Sequence, residues 1–182
     1  TPQRAIPMLT DIVKLCAERD VIFSFRVSID GVGQMHNDVR QVPHGFDKAN
    51  QTIRAMQALQ KDYPFNFGIS TTIFSQNLDD ADNILEWARG ENLDIVFNMV
   101  RFTEPMLGNS DLADTCKPVG EEEEQMRQFF LDRVRIDPLL DGQNYIYMHY
   151  ADMIANGYHR LAPCPFQTQG IMLNPDGGMF FC

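Results

Sequence analysis

The chain has 182 residues, of which 44% are hydrophobic and 22% charged, as in an ordinary globular protein. Its formal net charge of −10 excludes a nucleic-acid backbone or an anionic membrane as the main partner, because both attract clustered Lys and Arg. No apolar run is long enough for a transmembrane helix, and no signal-peptide pattern opens the chain. The four widely spread cysteines are unlike a secreted disulfide scaffold, so we expect a reducing cytoplasm.

The first hundred residues alternate between helical and extended hydrophobic periods. Helical spacing predicts helices near residues 9–16, 46–56 and 78–88, and alternation predicts strands near 21–30, 65–74 and 95–100. The order α-β-α-β-α-β indicates an α/β fold with a parallel sheet and crossover helices.

The predicted strands have one polar side. On the first strand, Phe25 and Val27 alternate with Ser24, Arg26 and Ser28. A flat sheet covered by helices on both faces has nearly continuous apolar strands, whereas the inner face of a barrel can line a polar lumen. We therefore expect a partial (β/α) barrel, with about three of the eight strands of a complete barrel. The expected lumen residues are Ser24, Arg26, Ser28, Asp30, Asn66, Ser70 and Thr72.

Beyond the third strand, residues 103–120 contain prolines and glycines and are predicted to form a loop that holds Cys116. A helix is predicted to begin at Glu121, where four glutamates suit the positive end of the helix dipole better than they suit a metal site. Another helix is predicted near 145–158. The expected domains are residues 1–135, part of the barrel, 136–163, a helical linker, and 164–182, the start of a small cysteine-containing domain.

The last nineteen residues predict a β-hairpin flanked by two thiols. The apolar runs 171–173 and 179–181 enclose the turn sequence Asn-Pro-Asp-Gly-Gly, and Cys164 and Cys182 lie on either side. This spacing suits ligands of an iron–sulfur cluster or of another metal. Cys16, on an apolar helix face, is expected to be a small core residue.

A second candidate site follows the first strand. Ser28 and Asp30 stand where the strand gives way to a glycine-containing loop, which is the carboxyl end where barrels place their ligands. His36 and Arg40 come within ten residues of Asp30, and an arginine there can hold a carboxylate bidentately.

Together, these residues resemble the fourth strand and loop of radical S-adenosyl-L-methionine (radical SAM) enzymes that carry a C-terminal SPASM or twitch extension. That extension opens with a cysteine, a spacer, a glycine and a second cysteine; here twelve residues separate Cys164 from Gly177, and four separate Gly177 from Cys182. Residues 69–73, followed by Asn77, are similar to the family's fifth strand. The quoted residues are Ser28-Ile29-Asp30-Gly31-Val32, His36-Asn37 and Arg40.

The resemblance implies S-adenosyl-L-methionine bound at a [4Fe-4S] cluster, reductive cleavage to a 5′-deoxyadenosyl radical, and hydrogen abstraction from a substrate. It implies a peptide or protein substrate and an electron donor such as flavodoxin or ferredoxin. It places Ser28 and Asp30 near the methionine and ribose parts of the cofactor and Arg40 near its carboxylate. Thr72 and Asn98 are weaker cofactor candidates, and no catalytic residue is assigned. Cys164 and Cys182 would ligate an auxiliary cluster.

The family's C-x3-C-x2-C motif is absent, because successive cysteines are 100, 48 and 18 positions apart. The resemblance therefore implies a fragment that does not cleave the cofactor by itself. Two alternatives remain open. One is a structural zinc or interaction module using Cys164, Cys182 and His159. The other is an ordinary barrel enzyme with a phosphate or aldol-type site, which predicts a lysine or paired carboxylates at strand ends; only Asp30 is found there.

Overall fold

A computed structural model describes residues 1–102, 108–136, 141–161, 172–173 and 177–180. The chain divides into two compact units, Thr1–Asn98 and Met99–Cys182. The first unit alternates helices and strands, and its third strand ends at the boundary. Its elements are α1 (Pro2–Glu18), β1 (Ser24–Ser28), α2 (Gln34–Arg40), α3 (Gly45–Leu59), β2 (Asn66–Ile73), α4 (Ala81–Gly90) and β3 (Asp94–Met99).

The three strands form an open parallel sheet in the order β1-β2-β3. β1 and β2 pair in parallel, from Ser24 opposite Asn66 to Ser28 opposite Ser70. The predicted alternation of helices and strands and the predicted parallel sheet are thus confirmed. That this sheet is part of a larger barrel stays a prediction.

The two faces of the sheet differ as the alternation predicts. Of the expected lumen residues, Ser24, Arg26, Ser28 and Asn66 are exposed and Ser70 and Thr72 are half-buried, whereas on the apolar side Ile29 and Ile69 are buried. Asp30 is also buried, so its assignment to an open polar face is wrong. The hydroxyl of Thr71 can be buried on the apolar side because it donates a hydrogen bond of 2.6 Å to the Ile29 carbonyl. A core cluster lies between the sheet and the helices α1 and α3; its buried members are Val13, Met56 and Phe65, with Phe23, Phe25 and Phe67 packed against them.

The helix α2 is not among the elements that the sequence predicts, because the hydrophobic periodicity indicates none over residues 34–40. The helix begins after Gly33, which has φ +62°, and ends before Gln41, which has φ +52°. Left-handed backbone at both ends confines it to seven residues, too few to show a repeating apolar stripe. Cys16 is only half-buried on α1, so its assignment to the core is wrong.

The second unit contains α5 (Ala113–Cys116), α6 (Glu121–Ile136) and α7 (Asp141–Ala155). The helix predicted from Glu121 is confirmed, and Phe130 on α6 packs against Tyr147 and Tyr150 of α7 at ring-centroid distances of 5.7 and 5.1 Å. The prediction of a continuous loop over 103–120 is wrong, because Cys116 is the last residue of the short helix α5.

The second unit also contains the predicted hairpin. β4 (Met172–Leu173) pairs antiparallel with β5 (Met179–Phe180), with Met172 opposite Phe180 and Leu173 opposite Met179. Gly177 in the connection has φ +86°, a left-handed conformation that favours glycine. The hairpin is therefore confirmed. Cys164 and Cys182 lie outside the described residues, and the domain assignments 1–135, 136–163 and 164–182 stay predictions.

The strands β1 and β3 are tied together across β2 by one ion pair. Arg26 Nη2 lies 2.5 Å from Asp94 Oδ2, and Arg26 Nη1 donates a 3.2 Å hydrogen bond to the Ile69 carbonyl. A Cβ atom on Gly68 would stand 2.5 Å from the Asp94 carbonyl oxygen and 2.7 Å from Arg26 Nη1. The arginine can cross the sheet only because this position of β2 has no side chain.

We predict that Gly68→Ala destabilises the protein by about 1–3 kcal/mol, because the added methyl group displaces both the β3 backbone and Arg26. Urea denaturation followed by circular dichroism measures the free energy of unfolding. The control is Gly90→Ala at the end of α4, where a Cβ atom meets nothing within 4 Å. This control should be neutral or stabilising, since alanine favours helix. Equal effects of the two substitutions would contradict the crowding argument.

Candidate functional site

Asp30 is the centre of a polar cluster at the carboxyl ends of β1 and β2. Its side chain is buried, with 4% of the residue exposed. One carboxylate oxygen accepts a 2.9 Å hydrogen bond from the Thr72 backbone N–H, and the other lies 2.5 Å from Nη2 of Arg40. A buried carboxylate requires such partners, because its desolvation is otherwise costly. The pairing fixes the end of β1 to both β2 and α2.

His36 closes the cluster from α2. It is buried, and its Nδ1 accepts a 3.1 Å hydrogen bond from the Asp30 backbone N–H. Because that N–H can only donate, Nδ1 carries no proton in this arrangement. Burial lowers the pKa of His36 most; the Asp30 carboxylate opposes this and Arg40 adds to it. The imidazole is therefore neutral near pH 7.

Asn77 links the carboxyl ends of β1 and β2 through its side chain. It is fully buried, and its Oδ1 accepts a 2.9 Å hydrogen bond from the Phe74 N–H. Its amide nitrogen donates to the Asp30 carbonyl at 3.1 Å and to the Thr72 carbonyl at 2.9 Å. The carboxamide thus provides hydrogen-bond partners for three backbone groups near the ends of β1 and β2.

Asp80 ties together the two loops above the strand ends. It lies at the N-terminus of α4, and its Oδ2 accepts a 2.8 Å hydrogen bond from the Val32 N–H in the loop before α2. Three side chains, those of Asp30, Asn77 and Asp80, thus hydrogen-bond to backbone groups at the carboxyl ends of the strands. Such bracing lets a site keep its geometry before a ligand arrives.

An open cleft of about 380 Å³ borders the cluster. Ser28, His36 and Arg40 line it from one side, and Lys48 and Thr52 of α3 contribute to the wall. Although Arg40 is paired with Asp30, 43% of its side chain is exposed. Pro2, Ala5, Val42 and Ala49 make much of the remaining wall apolar. The Lys48 ammonium donates to the Pro43 carbonyl and the Thr52 hydroxyl to the Lys48 carbonyl. The exposed part of Arg40 and the Ser28 hydroxyl are therefore the donors left for an anionic group such as a carboxylate or a phosphate.

The structure brings four of the seven predicted site residues together. Ser28 and Arg40 line the cleft, Asp30 lies beneath it, and Thr72 contributes its backbone N–H to Asp30. Asn98 is half-buried on β3 and is not part of the cleft wall. The other two residues, Cys164 and Cys182, lie outside the described part of the chain.

Two residues of the site were missed by the sequence reasoning. Asp80 had a recognisable signal, because an aspartate directly before a helix commonly caps backbone N–H groups; here it caps a distant loop instead of its own helix. Lys48 gave no signal, since a lysine in the first turns of a helix is most often solvated. Its place beside the cleft depends on how α3 packs.

Within the described ranges, no group of three or more His, Cys, Asp or Glu side chains is arranged to hold a metal ion. No helix in those ranges combines the length and apolar character needed to cross a bilayer. Comparison of the chain with protein-family profiles, with curated proteins and with solved structures found no match. The resemblance to radical SAM enzymes therefore depends on the quoted residues and their placement.

We predict that Asn77→Asp destabilises the protein by roughly 2–4 kcal/mol, because a carboxylate cannot donate to the Asp30 and Thr72 carbonyls and leaves buried groups unsatisfied. Urea denaturation at pH 7 measures the loss. Asn66→Asp makes the same chemical change at an exposed position at the start of β2 and should alter stability by less than about 0.5 kcal/mol. Similar losses for both variants would show that added charge alone, and not the lost donors, is responsible.

Proposed function

We propose that this chain is part of a radical SAM enzyme. In this proposal, the cleft beside β1 and α2 holds S-adenosyl-L-methionine, and the hairpin β4–β5 belongs to an auxiliary [4Fe-4S] domain. The observation that carries the proposal is the placement of Ser28 and Arg40 on one cleft, with Asp30 fixed beneath it. These are the residues of the sequence motif, and they meet at the carboxyl ends of parallel strands, where such folds bind ligands.

The residues present fit the amino-acid end of the cofactor. Its carboxylate needs N–H and O–H donors, which the guanidinium of Arg40 and the hydroxyl of Ser28 supply. One Arg40 nitrogen is held by Asp30, while the exposed part of the guanidinium borders the cleft. Asp30 has both oxygens occupied and is 4% exposed, so we assign it the role of orienting Arg40 and not of binding the cofactor directly.

The cofactor, cleaved reductively at its cluster, would supply a 5′-deoxyadenosyl radical that abstracts hydrogen from a peptide or protein substrate. Electrons would come from a donor such as flavodoxin or ferredoxin, in the cytoplasm. The chain contains no C-x3-C-x2-C motif. We therefore propose this activity for a longer protein, in which the present chain contributes Ser28, Arg40 and the polar strand face.

We predict that Ser28→Ala and Arg40→Lys each weaken S-adenosyl-L-methionine binding to this chain by about tenfold, because each removes hydrogen bonds to a charged group. Arg40→Lys keeps a positive charge beside Asp30 and so protects the fold. Amide NMR shifts titrated with the cofactor measure weak binding. The matched control is Arg54→Lys, whose partner is Glu91 at 2.8 Å and which is not part of the cleft wall.

Decarboxylated S-adenosylmethionine sharpens this test. Without the carboxylate, wild type and the Arg40→Lys variant should bind the ligand equally, since the lost interaction involves that group alone. If neither variant changes the affinity for the intact cofactor, Ser28 and Arg40 do not form its site.

The hairpin is tested through its metal. We predict that the longer protein, purified without oxygen, contains iron and sulfide, and that Cys164→Ala with Cys182→Ala removes about four iron atoms, the content of one [4Fe-4S] cluster. Cys16→Ala, a half-buried cysteine on α1, is the control and should leave the iron unchanged. Zinc without iron would instead support the structural zinc module.

A further inference from the structure

The helix α2 is attached at two points to Asp30, which lies two residues after the end of β1. His36 and Arg40 are four positions apart and therefore lie on the same side of the helix. The ring nitrogen of His36 holds the Asp30 backbone N–H at 3.1 Å, and the guanidinium of Arg40 holds the Asp30 carboxylate at 2.5 Å. The direction of Arg40 at the cleft thus depends on both attachments.

A helix of seven residues is not stable by itself, so these attachments matter. The loop between β1 and α2 is tightly packed against the helix, since a Cβ atom on Gly31 would stand 2.7 Å from the backbone nitrogen of His36. On the other side of His36, Asn37 Oδ1 accepts a 2.9 Å hydrogen bond from the Phe46 N–H. Between these points, His36 provides the side chain that holds the end of β1 to the middle of α2.

Protonation of His36 would replace its acceptor by a donor. Nδ1–H would then face the Asp30 N–H, and two donors at hydrogen-bond distance repel each other. Two charges act on the ring: the Asp30 carboxylate after β1 favours protonation, and the Arg40 guanidinium on α2 opposes it less strongly. On α3, Lys48 lines the same cleft, and its ammonium donates to the Pro43 carbonyl. Burial is the largest influence on the pKa of the ring, and it disfavours the protonated form.

We infer that His36 is a positioning residue: its neutral ring holds the Asp30 N–H and so keeps Arg40 directed at the cleft, and acid releases this hold. The ligand part of this inference rests on the proposed function, because it takes the carboxylate of S-adenosyl-L-methionine as the group that Arg40 receives. The structural part, a proton-sensitive link between β1 and α2, does not depend on any ligand.

The sign of the pH dependence follows from the direction of the shift. Burial lowers the pKa of His36 below its ordinary value of about 6.5. Above pH 6.5 neither the folded nor the unfolded state binds this proton, and the link contributes its full stability. As the pH falls below 6.5, the unfolded state takes up the proton first, so stability is lost until the pH reaches the lowered pKa of the folded state.

The test is the hydrogen-exchange protection factor of the Asp30 amide in this chain, between pH 7.5 and 5. In wild type it should fall by about tenfold on acidification, the loss expected for one hydrogen bond. His36→Asn places a carboxamide oxygen where Nδ1 stood and cannot be protonated there, so its protection should be independent of pH. His36→Phe keeps an aromatic ring beside Phe46 but has no acceptor, so its protection should be low throughout.

The ligand arm uses S-adenosyl-L-methionine and the same variants. Its dissociation constant should rise on acidification in wild type but not in His36→Asn. A protection factor that does not change with pH in wild type, or that falls equally in His36→Asn, overturns the inference. If wild type binds no cofactor at any pH while Asp30 exchange still responds to His36, the proposed function fails and the proton-sensitive link stands.

Discussion

The structure depends on how one buried carboxylate is satisfied. Asp30 leaves β1 at the edge of the sheet and is shielded from water, so its charge must be met by donors close at hand. The Thr72 N–H and the Arg40 guanidinium meet it. Each comes from a different element, β2 and α2. Because the buried charge is stable only with both donors in place, it fixes the positions of β2 and α2 relative to the end of β1.

The same requirement explains why the carboxyl ends of the strands, rather than the amino ends, have the features of a site. A cleft of about 410 Å³ also lies at the amino ends, but its charged side chains, Arg26 and Asp94, are paired with each other across Gly68 and stabilise the sheet. At the carboxyl ends, the internal links use the carboxylate of Asp30 but leave much of Arg40 exposed to the cleft. Arg40, which is paired on one side only, and the exposed Ser28 hydroxyl can therefore still donate hydrogen bonds to a ligand.

The parts of the fold that follow from local patterns were predictable from the sequence, and those that follow from tertiary contacts were not. Phe25 and Val27 alternate with polar neighbours, and β1 forms as that alternation indicates. The helix α2 shows no such pattern in the sequence. It is held by hydrogen bonds to residues outside it, such as the one between Asn37 and the Phe46 N–H. Likewise, the strand-end position of Asp30 indicated a site, but its pairing with Arg40 depends on how the chain turns after Gly31.

The exposed polar face bears on whether three strands make a complete sheet. Ser24, Arg26 and Ser28 could not be covered by an apolar helix without losing their hydration, so that face requires water, a polar ligand or a lumen. Beside it, Ile22 is 84% exposed two residues before β1, which is an edge strand among the described residues. An apolar residue next to an open edge favours a further strand there. A longer sheet curving around the polar face satisfies both features, and for this reason we favour the partial barrel over a free-standing three-stranded sheet.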